Sequence, residues 1–166
     1  MCRNKYCTAL VKAWLIAGSL DIMAASLLTL INERNPLGML KFIASGVFGS
    51  TAFQEGLLYS MIGLGLHYII ALGWTVFFFL TYPRIPLLSK NAILTGIGYG
   101  IVVWMGMNFV VLPLSNIPTL GPMSVKGVLT GASVLIVCIG FPLSFIASVH
   151  FKHRESCDKD RIINKL

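Results

Sequence analysis

The sequence predicts an all-α, polytopic transmembrane bundle of four helices, and three observations carry that prediction. More than half of the 166 residues are hydrophobic and only 11% are charged, where about a quarter is usual. A soluble domain of this size cannot hide so much apolar surface. Four apolar runs are long enough to cross a hydrocarbon core of about 30 Å, which takes about 20 helical residues. Lys and Arg collect in the tails and in one short connection, as membrane orientation requires.

The first span covers residues 13–31. Although a basic segment precedes it, its apolar stretch exceeds the roughly 7 to 15 residues of a signal-peptide core. It also carries Asp21, and INERNP offers no small-residue cleavage site, so a retained span is expected. Residues 35–55 hold Lys41 and three glycines and are too broken to cross. An interfacial or re-entrant helix starting after Pro36 is expected there.

The second span covers residues 57–81 and the third 92–112. The link to the fourth span, LPLSNIPTLGPMS, is uncharged and holds three prolines, which stiffen it. The fourth span covers 125–149 and contains Pro142, which predicts a kink and a freed carbonyl for Ser144 or a neighbouring helix to satisfy. Residues 150–166 form a basic tail. The whole chain reads as a single integral membrane domain.

Ten of the 13 Lys and Arg residues fall on one side of this topology, leaving Arg34, Lys41 and Lys126 on the other. Both termini are therefore expected in the cytoplasm. The net charge of +7 serves orientation and does not form a basic aromatic face, which excludes nucleic acid as a partner. Cys2, Cys7, Cys138 and Cys157 have neither zinc-type nor disulfide-framework spacing. His150 and His153 share a helix face but lack a third ligand, so they are read as part of the solvated tail and no metal site is expected. Nucleotide, hydrolase and zinc-protease motifs are absent. A haem on His67 would need a facing axial residue, and the methionines of span three are ordinary gap fillers. No cofactor is expected.

Depth sorts the remaining polar groups. Asp21 is about 12 Å into the first span and His67 about 15 Å into the second, which runs the opposite way. Both fall near the middle of the bilayer and can meet. Tyr99 lies about 10 Å into span three, close to the level of Asp21. These three form a deep candidate layer for proton handling. Glu55, Tyr59 and Asn108 form a shallower one. Gly96 and Gly100 make a GxxxG pair, a helix-packing face. An unpaired carboxylate at this depth costs at least about 2.5 to 3.5 kcal/mol. It must protonate or find a partner, so a static Asp21–His67 pair and a proton-handling pair both account for it.

His67, the apolar run to Tyr82-Pro83-Arg84-Ile85, the glycine-rich TGIGYG and Leu112-Pro113-Leu114 follow one another in order. That order resembles the YagU-like family of small bacterial inner-membrane proteins, over about a third of the chain. The resemblance implies an inner (plasma) membrane location and little chemistry. Asn108 stands at about the place where that family carries a second histidine. From the residues themselves, the leading expectation is a non-catalytic accessory membrane subunit that associates with itself or with other subunits through its GxxxG face. The alternatives are a small proton-coupled carrier built on Asp21 and His67, or a membrane enzyme acting on lipid or quinone with His67 as base.

Overall fold

The computed structural model describes residues 2–54, 56–117 and 124–151, and every regular element among them is helical. The elements are α1 (Cys2–Ile31), α2 (Pro36–Phe48), α3 (Leu58–Thr81), the short α4 (Pro86–Lys90), α5 (Ala92–Gly106) and α6 (Val125–Leu135). A π turn at Met107–Val111 extends α5, and another at Ile136–Gly140 lengthens α6, which continues as α-helix through residue 151. Four stretches are long and apolar enough to cross a membrane: Tyr6–Ile31, Leu58–Arg84, Ala92–Val111 and Val125–Phe151. The chain is thus an all-α bundle with the composition of an integral membrane protein. Glu55, Pro118 and Pro122 of the proline-rich link, and the basic tail from residue 152 (His153 and Cys157 included) lie outside the described residues.

Local chemistry sets the helix ends. Asn35, Asn91 and Ser124 cap α2, α5 and α6, their side-chain oxygens accepting from Leu37, Ile93 and Gly127 N–H at 2.9, 3.0 and 3.1 Å. The last turn of α1 closes differently. Arg34 N–H bonds to Thr29 O and Glu33 N–H to Leu30 O, both at 2.9 Å, with Glu33 left-handed at φ 57°. This is the two-bond C-terminal turn that glycine usually supplies. Glu33 occupies the position at some steric cost.

At its other end α1 reaches further than the apolar run suggests, beginning at Cys2. Tyr6, Ala9, Leu10, Ala13 and Ala17 recur at helical spacing and carry an apolar stripe into the core. Tyr6 meets Phe79, His150 and Phe151 edge-on at ring separations of 5.8, 5.8 and 6.3 Å. His150 therefore belongs to an aromatic cluster and not to a solvated tail, because α6 stays helical past the end of the expected span. Phe78, Phe79, Tyr82, Tyr99, Val103 and Leu143 complete a packed core in the half of the bundle that holds residues 2 and 151.

The opposite half is organised by α2. This helix is about 20 Å long, too short to cross. Both its ends attach to the same end of the bundle. Leu37 O accepts from Ser60 Oγ at 3.1 Å near the start of α3. Gly46 O and Val47 O accept from the backbone and side-chain amides of Asn116, just past α5, at 2.9 and 3.1 Å. Accordingly α2 lies across the bundle end instead of passing through it.

Glycine permits the two closest helix approaches. A Cβ at Gly63 would overlap the Leu40 carbonyl oxygen, locking α2 onto α3. Between α5 and α6, a Cβ at Gly100 would stand 2.5 Å from Ile136 Cα, one at Gly96 would stand 2.6 Å from the Phe141 ring, and one at Gly140 would overlap Gly96 O. The GxxxG face is therefore covered by α6 of the same chain and is not open to another subunit. The α6 π turn forms half of this contact. It ends just before Pro142, whose missing N–H breaks the ordinary ladder; Phe141 N–H is re-routed to Ile136 O. Ser144 Oγ donates to Phe141 O at 3.1 Å, three residues back.

Gly140→Ala should destabilise the purified protein by about 1 to 3 kcal/mol through overpacking. Gly65→Ala should leave stability within about 0.5 kcal/mol, because a Cβ there meets nothing within 4 Å. Thermal unfolding in detergent compares the two, and equal midpoints would contradict the α5–α6 packing.

Candidate functional site

The packing of α1 on α3 assembles a polar seam inside otherwise apolar helices. Trp14 Nε1 donates to Tyr68 O at 2.8 Å, and the Ser19 and Tyr68 hydroxyls pair at 2.9 Å. The Tyr68 ring covers Gly18, where a Cβ would stand 3.2 Å from its edge. Gly18 thereby exposes its carbonyl to His67, whose Nε2 lies 2.9 Å from Gly18 O. A carbonyl only accepts, so Nε2 carries the hydrogen and the second lone pair of that oxygen takes it. This fixes the tautomer of a neutral imidazole and leaves Nδ1 as its free nitrogen.

Nδ1 faces Asp21, 4.0 Å from Oδ2, with 11% of the His67 side chain and 17% of the Asp21 side chain exposed. Among the described residues this is the one ion-pair contact. The separation exceeds a hydrogen bond by about 1 Å. With Nε2–H committed, the pair can hold one proton in two ways: a carboxylic acid beside neutral imidazole, or a carboxylate beside imidazolium. Both arrangements have the same net charge, and only a change in proton number alters it.

The pair borders a cavity of about 80 Å³, lined also by Ile43 of α2, Trp74 of α3, Val103 and Met107 of α5, and Leu135 and Ile139 of α6. Taking about 30 Å³ per water, it has room for two or three waters. Trp74 braces the wall. Its indole covers Gly106, where a Cβ would overlap the ring, and its Nε1 lies 3.4 Å from Met107 Sδ.

The other expected site residues go elsewhere. Tyr99 is buried two turns away, donating its hydroxyl to Trp74 O at 2.5 Å with its ring 4.5 Å from Phe78, and it does not line the cavity. Tyr59 stacks edge-on against Phe48 at 5.7 Å. Asn108 Nδ2 donates to Trp104 O at 2.8 Å, at the start of the α5 π turn. No hydrogen bond joins Tyr59 to Asn108 among the described residues, where Glu55 is not included. Gly96 and Gly100 serve packing, as above. Trp14, Ser19 and Tyr68 were not singled out from the sequence. The spacing W-x3-G-S-x-D in α1, one helix face around Asp21, is the signal that could have found them. Among the described residues no cluster of three or more His, Cys, Asp and Glu could hold a metal ion.

A double-mutant cycle of Asp21→Asn and His67→Gln should give a coupling energy of about 1 kcal/mol in unfolding experiments. Additivity within about 0.3 kcal/mol would mean that the two side chains ignore each other.

Protein-family models, curated proteins and solved structures offer no match to this chain.

Proposed function

We propose that this is a proton-coupled membrane carrier whose proton site is the Asp21–His67 pair. The observation that carries the reading is the pair itself: a carboxyl group and a tautomer-fixed imidazole face each other beside a water-sized cavity, deep within apolar helices. Ionisable groups at such depth are expensive unless they work or are fully bonded. The Asp21 carboxyl has no hydrogen-bond partner within reach among the described residues, unlike Tyr99, Ser60 or Thr75, which all donate to backbone carbonyls. The carrier belongs, on this reading, to a bacterial inner membrane with both termini inside, as the basic residues and the YagU-like resemblance suggest.

Proton access is favoured from the α2 end. Toward the other end the pair is backed by the aromatic core, whereas Ile43, Ile70 and Met107 line both its cavity and a second one of about 320 Å³ under α2. Displacing α2 would open that route, and the hydrogen bonds of Asn116 to Gly46 and Val47 are what would have to yield.

Accessory association is the second reading. With the GxxxG face covered, it rests on α1, whose Leu20, Met23, Leu27 and Leu30 remain exposed along one side.

Reconstituted in liposomes and subjected to a pH step, the wild-type protein should take up about one proton per chain from the medium. Asp21→Asn and His67→Gln should each abolish that uptake while retaining the helical circular dichroism of the wild type. Identical uptake by all three proteins would sink the proposal.

A further inference from the structure

A second polar feature lies directly above the proton site. The last turns of α1 and the first turns of α6 diverge around a cleft of about 410 Å³, within the range of small-molecule sites. Its polar lining is Thr29 of α1 with Asn32 and Arg34 just past its end, and the cap Ser124 with Lys126 and Thr130 of α6. Among the described residues no carboxylate lines it. Among the described residues neither the Arg34 guanidinium nor the Lys126 ammonium has an ion-pair or hydrogen-bond partner, although the left-handed turn at Glu33 and the Ser124 cap hold the backbone at both positions. The amino-terminal end of α6 opens on the same space and adds its partial positive charge.

Position connects this cleft to the pair. Leu28, in the cleft wall, follows Asp21 by two helical turns on the same face of α1, about 10 Å away. On α6, Gly131 of the cleft stands one turn before Leu135 of the proton cavity. On α1 the intervening position of that face is Ala25, and on α6 the Trp104 indole lies against Gly131, 3.2 Å from where a Cβ would stand. Two unpaired cations, hydroxyl and amide groups and a helix terminus form a mouth. Beneath it, two helical turns down the same face of α1, lies Asp21 of a pair that can take up positive charge.

We infer that the α1–α6 cleft binds a small water-borne oxyanion, a phosphate or carboxylate, between Arg34 and Lys126, as the cargo site of the proton-coupled carrier proposed above. The inference rests on that reading for the word cargo, and on the cleft alone for the binding. Charge explains the coupling. An anion moving along the seam leaves the field of two cations for the apolar bilayer centre, where a proton gained by the Asp21–His67 pair offsets its charge. A soluble ion is favoured over a lipid headgroup because the cleft lies on the Asp21 face of α1, turned from the exposed face of Met23, Leu27 and Leu30.

The test uses the full chain in nanodiscs of zwitterionic lipid, with inorganic phosphate and acetate as probes and thermal stabilisation and equilibrium dialysis as readouts. Wild-type protein should bind at least one of the two saturably. Arg34→Gln with Lys126→Gln should weaken that binding about tenfold or more, whereas Arg34→Lys with Lys126→Arg should keep most of it. Asp21→Asn should retain anion binding while losing proton uptake, which separates this inference from the proton reading. Failure of both probes to bind, or equal binding by the Gln double variant, overturns the cleft and leaves the proton site standing. Selective retention of phosphatidylglycerol, with no response to either soluble ion, overturns it in favour of a lipid headgroup.

Discussion

The contact on which the bundle depends is backbone on backbone: Gly140 of α6 against Gly96 of α5. In lipid the hydrophobic effect does not drive helices together, so dispersion at short range has to. Removing the side chains lets the two helices approach until atoms of one nearly touch the main chain of the other. The π turn at Ile136–Gly140 is part of that fit, since it absorbs the interruption at Pro142 while presenting Gly140 to α5. Once α5 and α6 are locked, Val103, Ile139, Leu143 and the ring of Tyr99 are fixed in one layer, and Phe78 and Phe79 of α3 close over it.

From this follows an uneven molecule. The half holding residues 2 and 151 is packed with rings, the stacked pair of Tyr82 and Phe151 at 5.2 Å among them. The three cavities described above lie toward the half that α2 caps. Between the two lies the α1–α3 seam, in which each hydrogen bond except the Ser19–Tyr68 pair uses a backbone carbonyl as acceptor. A solid base and a more open top leave the fewer packed contacts at one end. Local stability is lowest where buried apolar contacts are fewest, and α2 is held at its far end chiefly by the bonds of Asn116.

Much of this was legible in the chain. Hydropathy alone marks the four long helices, because the bilayer demands about 20 apolar residues with internally paired backbones, and few alternatives meet that demand. The meeting of Asp21 and His67 also follows from depth, since rise per residue converts a position in a span into a height. Height does not give direction around the helix axis, however. Tyr99 shares a level with Asp21 but faces Phe78, and Asn108 turns back on its own helix. Likewise the GxxxG pair announces a close approach without saying to which helix, and here the partner is in the same chain. The π turns and the lengthened α1 escaped hydropathy because they depend on which neighbour supplies a ring or a missing hydrogen bond. The α1–α6 cleft escaped it too, being a property of the gap between two helices far apart in sequence.

The three tryptophans give the molecule an optical readout of its own. Trp14 donates to Tyr68 O on the seam beside His67, Trp74 forms a wall of the cavity beside the Asp21–His67 pair, and Trp104 lies against Gly131 in the lining of the α1–α6 cleft. Each indole therefore sits in a different local environment. Single-tryptophan versions of the chain would each emit a distinct spectrum. Shifts in those three colours would follow seam, cavity and cleft separately in the same protein, without any attached dye.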